Sequence, residues 1–413
     1  MSVPSFMRGA EPGRLELLLI LGSLAAFGSL SVAMYLPGLP AMAREFNGSM
    51  TGVQDTVASF SLGLCLGQLI YGPISDRWGR RAPLLFGIAL FIAATLACIL
   101  AADLKALVAL RFVQGLGGCA GVVISRAVVR DRFTPQESAG IYSALMLILG
   151  VAPILSPLAG GWIIAAFGWR AVFWFLFGFG VLLGLVVLLR LGETCSQQTR
   201  ITARSEHPFR GYWAILTDWQ VMAFVLCGGF GAAGTFVYMT MSAHLLIENY
   251  GVAPTAFGWI YGAGSLSVLI GSQVNRLLLK RYTSRSLLVW STRLNTAAAV
   301  LLLLSVLTWP DHVAAFAMPL CLAFSMNGLS MPNSAAEAMG ASGWRGGSVA
   351  AVLGFVQFGL GAVAAWLAVR FLSGEAFDLA ALLVAFGLTA VICVSLAGRP
   401  RVEHPEPGEA QLS

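Results

Sequence analysis

The sequence predicts an all-α integral membrane protein, with twelve transmembrane helices arranged as two pseudo-symmetric bundles of six. Three observations carry that expectation: the composition, the length of the apolar runs, and the placement of the few charges between them. Of 413 residues, 58% are hydrophobic and 11% charged, against about 25% charged in a soluble domain. So little polar surface cannot clothe a water-soluble body of this size, and the mean hydropathy is +0.81. The runs match the roughly 20 apolar residues that a helix needs to cross a bilayer core. None shows the ~10-residue alternation of barrel strands.

Taken in order, spans are expected at 15–36, 51–71, 82–101, 105–128, 138–163, 170–191, 218–247, 254–279, 286–308, 313–336, 346–372 and 377–397. The first follows Arg8 and Arg14 as a signal peptide would, but it is long enough to span and many similar runs follow it. The longest polar stretch, 192–217, holds Arg200, Arg204, Glu206, His207 and Arg210. It divides the chain into an N-terminal bundle (1–191), a cytoplasmic linker (192–217) and a C-terminal bundle (218–397). The Pro- and Glu-rich tail, 398–413, is expected to be disordered. The seven cysteines form no CxxC pair, so neither a disulfide framework nor a zinc site is suggested.

Basic residues set the orientation. Alternate loops carry Arg77, Arg80 and Arg81, then Arg126, Arg130 and Arg132, then Arg190 and the linker arginines, then Arg276, Lys280, Arg281 and Arg285, then Arg345. The intervening loops hold Arg44, Lys105, Arg170 and Arg370. The richer side is cytoplasmic by the positive-inside rule, which puts both termini in the cytoplasm and the protein in the inner membrane. The net charge of +6 is accounted for by these loops; no basic tail or aromatic-basic stripe points to nucleic acid. A short internal match supports the two-fold division: Gly72, Asp76 and Arg77 correspond to Gly271, Asn275 and Arg276 at a constant offset.

Several stretches resemble the major facilitator superfamily. Gly72-x-x-x-Asp76-Arg77-x-Gly79-Arg80-Arg81 is similar to its loop signature between spans two and three. Arg111-Phe-Val-Gln-Gly115 resembles its span-four motif, and Gly150-x-x-Pro153-x-x-x-Pro157-x-x-Gly160-Gly161 its span-five exporter motif. More narrowly, Met34-Tyr-Leu-Pro-Gly-Leu-Pro40, Gly67-Gln-Leu-Ile-Tyr-Gly-Pro73 and Ala152-Pro-Ile-Leu-Ser-Pro-Leu-Ala-Gly-Gly-Trp162 resemble the bicyclomycin/chloramphenicol-resistance (Bcr/CflA) branch of drug:proton antiporters. The resemblance implies the major facilitator fold and proton-coupled multidrug efflux by alternating access. It also implies that Asp76 reaches the start of span eleven, at Gly346-Gly347-Ser348, as a latch between the halves. Where relatives carry an acid just before the Tyr-Leu-Pro of span one, this chain reads Ala33-Met34.

The residues themselves make these expectations physical. Gly72 and Gly79 permit tight turns where two helices leave the membrane, and Asp76 can accept hydrogen bonds from arginines or from a helix N-terminus. A loop that only fixes topology would not need the acid. Gly150, Pro153, Pro157, Gly160 and Gly161 share one helical face; small residues allow close helix approach and prolines bend the helix. That face would seal an exporter against leak, or simply pack.

Ionisable groups inside a membrane cost roughly 2.5–3.5 kcal/mol at helix centre, so each marks a candidate site. Arg111, with Gln114 one turn on, is expected to face a central cavity. Asp55 either takes the place of the missing acid, as proton carrier, or caps the start of span two. Glu337 reads as interfacial, His244 and Glu248 as one turn apart at a helix end, and Arg293 as snorkelling to the interface. Phe60, Tyr238 and Phe355, with Phe230, Phe236, Met239 and Met241, either line a greasy substrate cavity or pack. The expected function is a proton-coupled antiporter exporting small hydrophobic or amphipathic compounds, the alternative being a specific metabolite exporter. There is no GxxxxGK[ST] for ATP and no clustered catalytic set, so neither an enzyme nor a cofactor is expected. The partners are small-molecule substrates, protons and the bilayer, around a monomer.

Overall fold

A computed structural model describes residues 13–133, 151–152, 154–197, 199–201, 212–213, 215–341 and 346–398. Numbering the long helices in chain order, α1 is Arg14–Ala33, α2 Met50–Trp78, α3 Arg81–Ile99 and α4 Leu104–Arg132. The apolar helix Ile154–Phe167 is α5 and Arg170–Arg190 is α6. In the second half α7 is Trp219–Ala243, α8 Pro254–Leu278, α9 Ser284–Thr308, α10 Val313–Ala341, α11 Gly346–Phe371 and α12 Ala376–Leu396. Among the described residues, ten helices are long and apolar enough to cross a membrane. Of the other two, α5 is followed only from residue 151, and α8 carries Ser265, Ser267, Ser272, Gln273 and Asn275, which lower its hydropathy.

Helix starts follow local chemistry. Ser49 caps α2 by accepting from the Gly52 amide at 3.1 Å, and Asp103 caps α4 by accepting from Ala106 at 2.8 Å. Asp218 does the same for α7, and each satisfies an otherwise orphaned donor of a first turn. Asp55 is therefore not a cap: it lies beyond the first turn of a helix that Ser49 already closes. Helix ends outrun the apolar runs. α2 continues past 71 to Trp78, α4 past 128 to Arg132 and α10 past 336 to Ala341. A helix keeps its own hydrogen bonds after leaving the hydrocarbon, and the arginines of the last turns suit the negative C-terminal dipole. Gly72 is consequently a helical residue and makes no turn; Gly79, at φ +96°, makes it.

Within each half, helices cross where glycines remove the side chain. A Cβ on Gly63 would lie 2.2 Å from the Phe112 carbonyl oxygen, and one on Gly115 would lie 2.1 Å from that of Phe60, so α2 and α4 interlock. The second half repeats this. A Cβ on Gly271 would sit 1.9 Å from the Ser325 oxygen and one on Gly328 2.2 Å from the Val268 oxygen, interlocking α8 with α10. Gly271 thus takes the packing place of Gly63. The sequence match to Gly72 pairs residues in different surroundings, since a Cβ on Gly72 would meet only the Tyr212 hydroxyl, at 3.9 Å. The packing contact recurs in both halves, in a register different from the one that matching letters suggest.

The halves meet along two seams. α2 packs along α11, with the Cys65 thiol 3.3 Å from the Phe355 carbonyl oxygen and Gln68 against Gly354. α5 lies on α8, where Cβ atoms on Gly258 and Gly161 would approach Leu158 and Pro254 to 2.8 and 2.9 Å. The segment Leu36–Glu45 covers the face opposite the linker, touching α7 and α8. That face is called distal below, and the other the linker face.

Candidate functional site

Arg111 in α4 is fully enclosed. Its guanidinium lies 4.3 Å from the ring centroids of both Tyr35 and Phe60 and 5.7 Å from that of Phe173. One terminal nitrogen donates to Gln114 at 2.5 Å and the other to the Ser31 carbonyl at 3.1 Å. Gln114 in turn donates to Thr95 at 2.7 Å, and Tyr35 bonds Thr56 at 3.0 Å. Every described contact comes from the first half, so Arg111 lies inside that bundle and does not face the space between halves as expected. Its charge is balanced by aromatic faces and amide and carbonyl oxygens.

Among the described residues, Asp55 and Arg370 form the ion pair that joins the two halves. Arg370, in the last turn of α11, donates to Asp55 at 2.8 Å, and the side chains are 45% and 17% exposed. The other Asp55 oxygen is buried without a partner. Beside it, Gln54 donates to the Thr240 carbonyl of α7 at 3.1 Å, again across the halves.

At the linker face the charges form a cluster within the first half. Arg80, 1% exposed, donates to Asp76 at 2.5 Å, Ser75 at 2.9 Å and Asp131 at 2.8 Å. Burial opposes its charge, but the Asp131 hydrogen bond and the two carboxylates outweigh that and raise its pKa. Arg130 also approaches Asp76, at 3.5 Å. Glu193, from the linker, accepts from the amides of Arg80 at 2.8 Å and Arg81 at 3.3 Å and pairs with Arg200 at 3.1 Å. A Cβ on Gly79 would lie 2.3 Å from that carboxylate. Tyr212 is close enough to Asp76 that burial and the carboxylate push its phenol up to about 12. Side chains at Gly346-Gly347-Ser348 lie outside the described residues, so the expected reach of Asp76 to α11 remains a proposal.

In α5, Pro157, Gly160 and Gly161 are buried, and a Cβ on Gly160 would lie 1.8 Å from the Met34 carbonyl oxygen. Gly150 and Pro153 lie outside the described residues.

Comparison with known proteins decides the family. A profile described as Major Facilitator Superfamily matches residues 21–366. The chain belongs to the major facilitator superfamily. It is 35% identical, over 85% of its length and 87% of the relative's, to an uncharacterized MFS-type transporter, YdgK, of Bacillus subtilis. It is 28% identical to a bicyclomycin resistance protein homologue of Haemophilus influenzae, over 84% of this chain and 87% of that one. In fold it is similar to a bacterial homologue of the human lysosomal transporter Spinster, solved inward-facing and occupied. That likeness has a TM-score of 0.72 at 14% identity, over 95% of this chain and 98% of the other. The bicyclomycin resistance homologue supports the drug-efflux branch of the superfamily that the motifs suggest; the Spinster likeness shows the fold.

Several major-facilitator candidates fall apart spatially. Phe60 belongs to the Arg111 group, while Tyr238 is stacked on Tyr261 at 5.4 Å with Phe324 edge-on at 5.3 Å, wholly within the second half. Its hydroxyl is buried without a partner. Phe355 is half-buried on the α2–α11 seam. Phe230 instead borders an apolar cavity of about 430 Å³ with Leu360, Leu367, Phe371 and Phe386. His244 pairs with Glu248 at 2.6 Å and Arg293 is exposed. Sequence reading missed Asp131, Glu193 and Arg370. Asp131 and Arg370 each stood out by sign: one an acid among Arg126, Arg130 and Arg132, the other an arginine on the face poor in them.

Proposed function

We propose that this major facilitator is a proton-driven antiporter exporting small hydrophobic or amphipathic compounds, drugs among them, by alternating access across the inner membrane. Its linker face is cytoplasmic in this reading, as the basic loops require. The observation that carries it is the likeness to a bicyclomycin-resistance relative along 84% of the chain. The joined distal ends support it: the α5–α8 seam, the segment Leu36–Glu45 and the Asp55–Arg370 pair tie the halves together there. The glycine face of α5 seals against Met34 and Pro254 without side chains between, as an exporter must while one side is open.

Coupling needs a group whose charge differs between the two states. Asp55 is the carboxylate on the seam between halves, and it is our candidate coupling acid. Arg111 is the positioning candidate: it fixes α1, α2 and α4 around one charge. The test is drug-driven proton movement in inverted vesicles, wild type beside Asp55→Asn. Collapse of a preformed pH gradient on adding a drug panel, lost in the variant, supports antiport through Asp55. A wild-type response that the variant matches keeps the exporter and removes Asp55 from coupling. No response to any drug sinks multidrug export and leaves a single-metabolite exporter to be sought by substrate profiling.

A further inference from the structure

We infer that Asp55 and Arg370 are the charge lock of the distal face, and that Arg370 is a gating residue of the transport cycle. This rests on the alternating-access reading above. The partners are 315 positions apart and come from different halves, so every opening of the distal side must break the pair. Among the described residues no other group supports the carboxylate: its second oxygen is buried and unpartnered, whereas Asp76 is met by both Arg80 and Arg130. Arg370 is held in place by its own helix, 5.5 Å above the Trp366 ring one turn earlier. The adjacent Gln54–Thr240 hydrogen bond ties the same end of α2 to the end of α7, in the other half.

The lock also explains an oddity of charge placement. Basic residues are disfavoured on the external side of short-looped membrane proteins, yet Arg370 stands there. Its partner answers the question of why. A pair this exposed is worth little by itself at a protein surface, but it acts on an equilibrium between two whole-molecule states, where small differences change populations directly.

The test is a distance measurement on the full-length chain in lipid nanodiscs. Spin labels go on cysteines placed at Ala102 and Glu375, both exposed at the distal face in opposite halves. Cys321, the native cysteine that is not buried, is replaced by Ser. Asp55→Asn and Arg370→Gln are each expected to lengthen the distance, lowering the closed-to-open ratio by about fivefold, the upper range for a partly exposed pair. Arg370→Lys, and the exchange Asp55→Arg with Arg370→Asp, should restore the short distance. Single variants that keep the wild-type distances, or a correctly folded exchange that stays open, would overturn the lock. The readout needs neither drug nor proton flux, so failure of the exporter reading and failure of the lock are separately visible.

Discussion

Two buried arginines show how differently the same residue type is accommodated. Arg80 is ringed by two carboxylates and a hydroxyl, with its planar fork reaching all three. Removing it strands Asp76 and Asp131, so Arg80→Ala should cost on the order of 3–5 kcal/mol. Arg80→Lys should recover only part of this, because an ammonium cannot match the fork. Thermal unfolding of the purified protein would show a large fall for Ala and an intermediate one for Lys; equal losses would mean that the guanidinium fork, not its charge, holds the cluster. Arg111 has no carboxylate and depends on two ring faces and two oxygens. Its importance was legible in the sequence because a charge in an apolar run is costly. Its surroundings were not, since Ser31, Tyr35 and Phe60 reach it from other helices. Glu193 was invisible for the same reason. Its carboxylate caps the start of α3 from more than a hundred residues away, and Glu193→Ala should cost about 1 kcal/mol, the usual value of a lost cap. A variant melting with the wild type would show that water replaces the cap.

Helices were the most legible level, because run length and hydropathy alone locate them in a membrane protein. Their crossings were not, because a glycine in an apolar run reads the same whether it faces lipid or a neighbouring carbonyl. Gly63 and Gly72 make the contrast testable on one helix. Gly63→Ala puts a methyl 2.2 Å from a backbone oxygen that cannot move without separating α2 from α4, and should cost about 1–3 kcal/mol. Gly72→Ala meets nothing closer than 3.9 Å; gaining helix propensity, it should be neutral or stabilising by up to roughly 1 kcal/mol. Unfolding midpoints of the two variants in one detergent decide it. Similar losses in both would mean that the interlock is not where α2 is held. The same comparison explains the misleading internal match: letters align Gly271 with Gly72, while packing aligns it with Gly63.

At the scale of the molecule, the charge bias that orients the chain also pointed, through its exceptions, to the distal contacts. Arg370 pairs with Asp55 across the halves, and Arg170 pairs with Glu45, which also accepts from Trp169 at 2.6 Å. Two of the four basic residues on the poor side thus have carboxylate partners, and sequence alone does not name them. The division into halves makes the last prediction. The start of the linker, from Glu193 to Arg200, packs on the first half, whereas the seams α2–α11 and α5–α8 hold the halves together without it. Two fragments broken between residues 201 and 212 should therefore associate when co-expressed and, on the proposed exporter function, transport as the intact chain does. Two fragments broken at Leu191 put Glu193 and Arg200 on the wrong piece, leaving the turn at Gly79 uncapped unless the second fragment docks. Co-purification of tagged halves, with resistance measured in the same cells, separates the cases. Equal yields for both breaks would mean that the seams alone define the halves. Failure of both would mean that chain continuity holds them together.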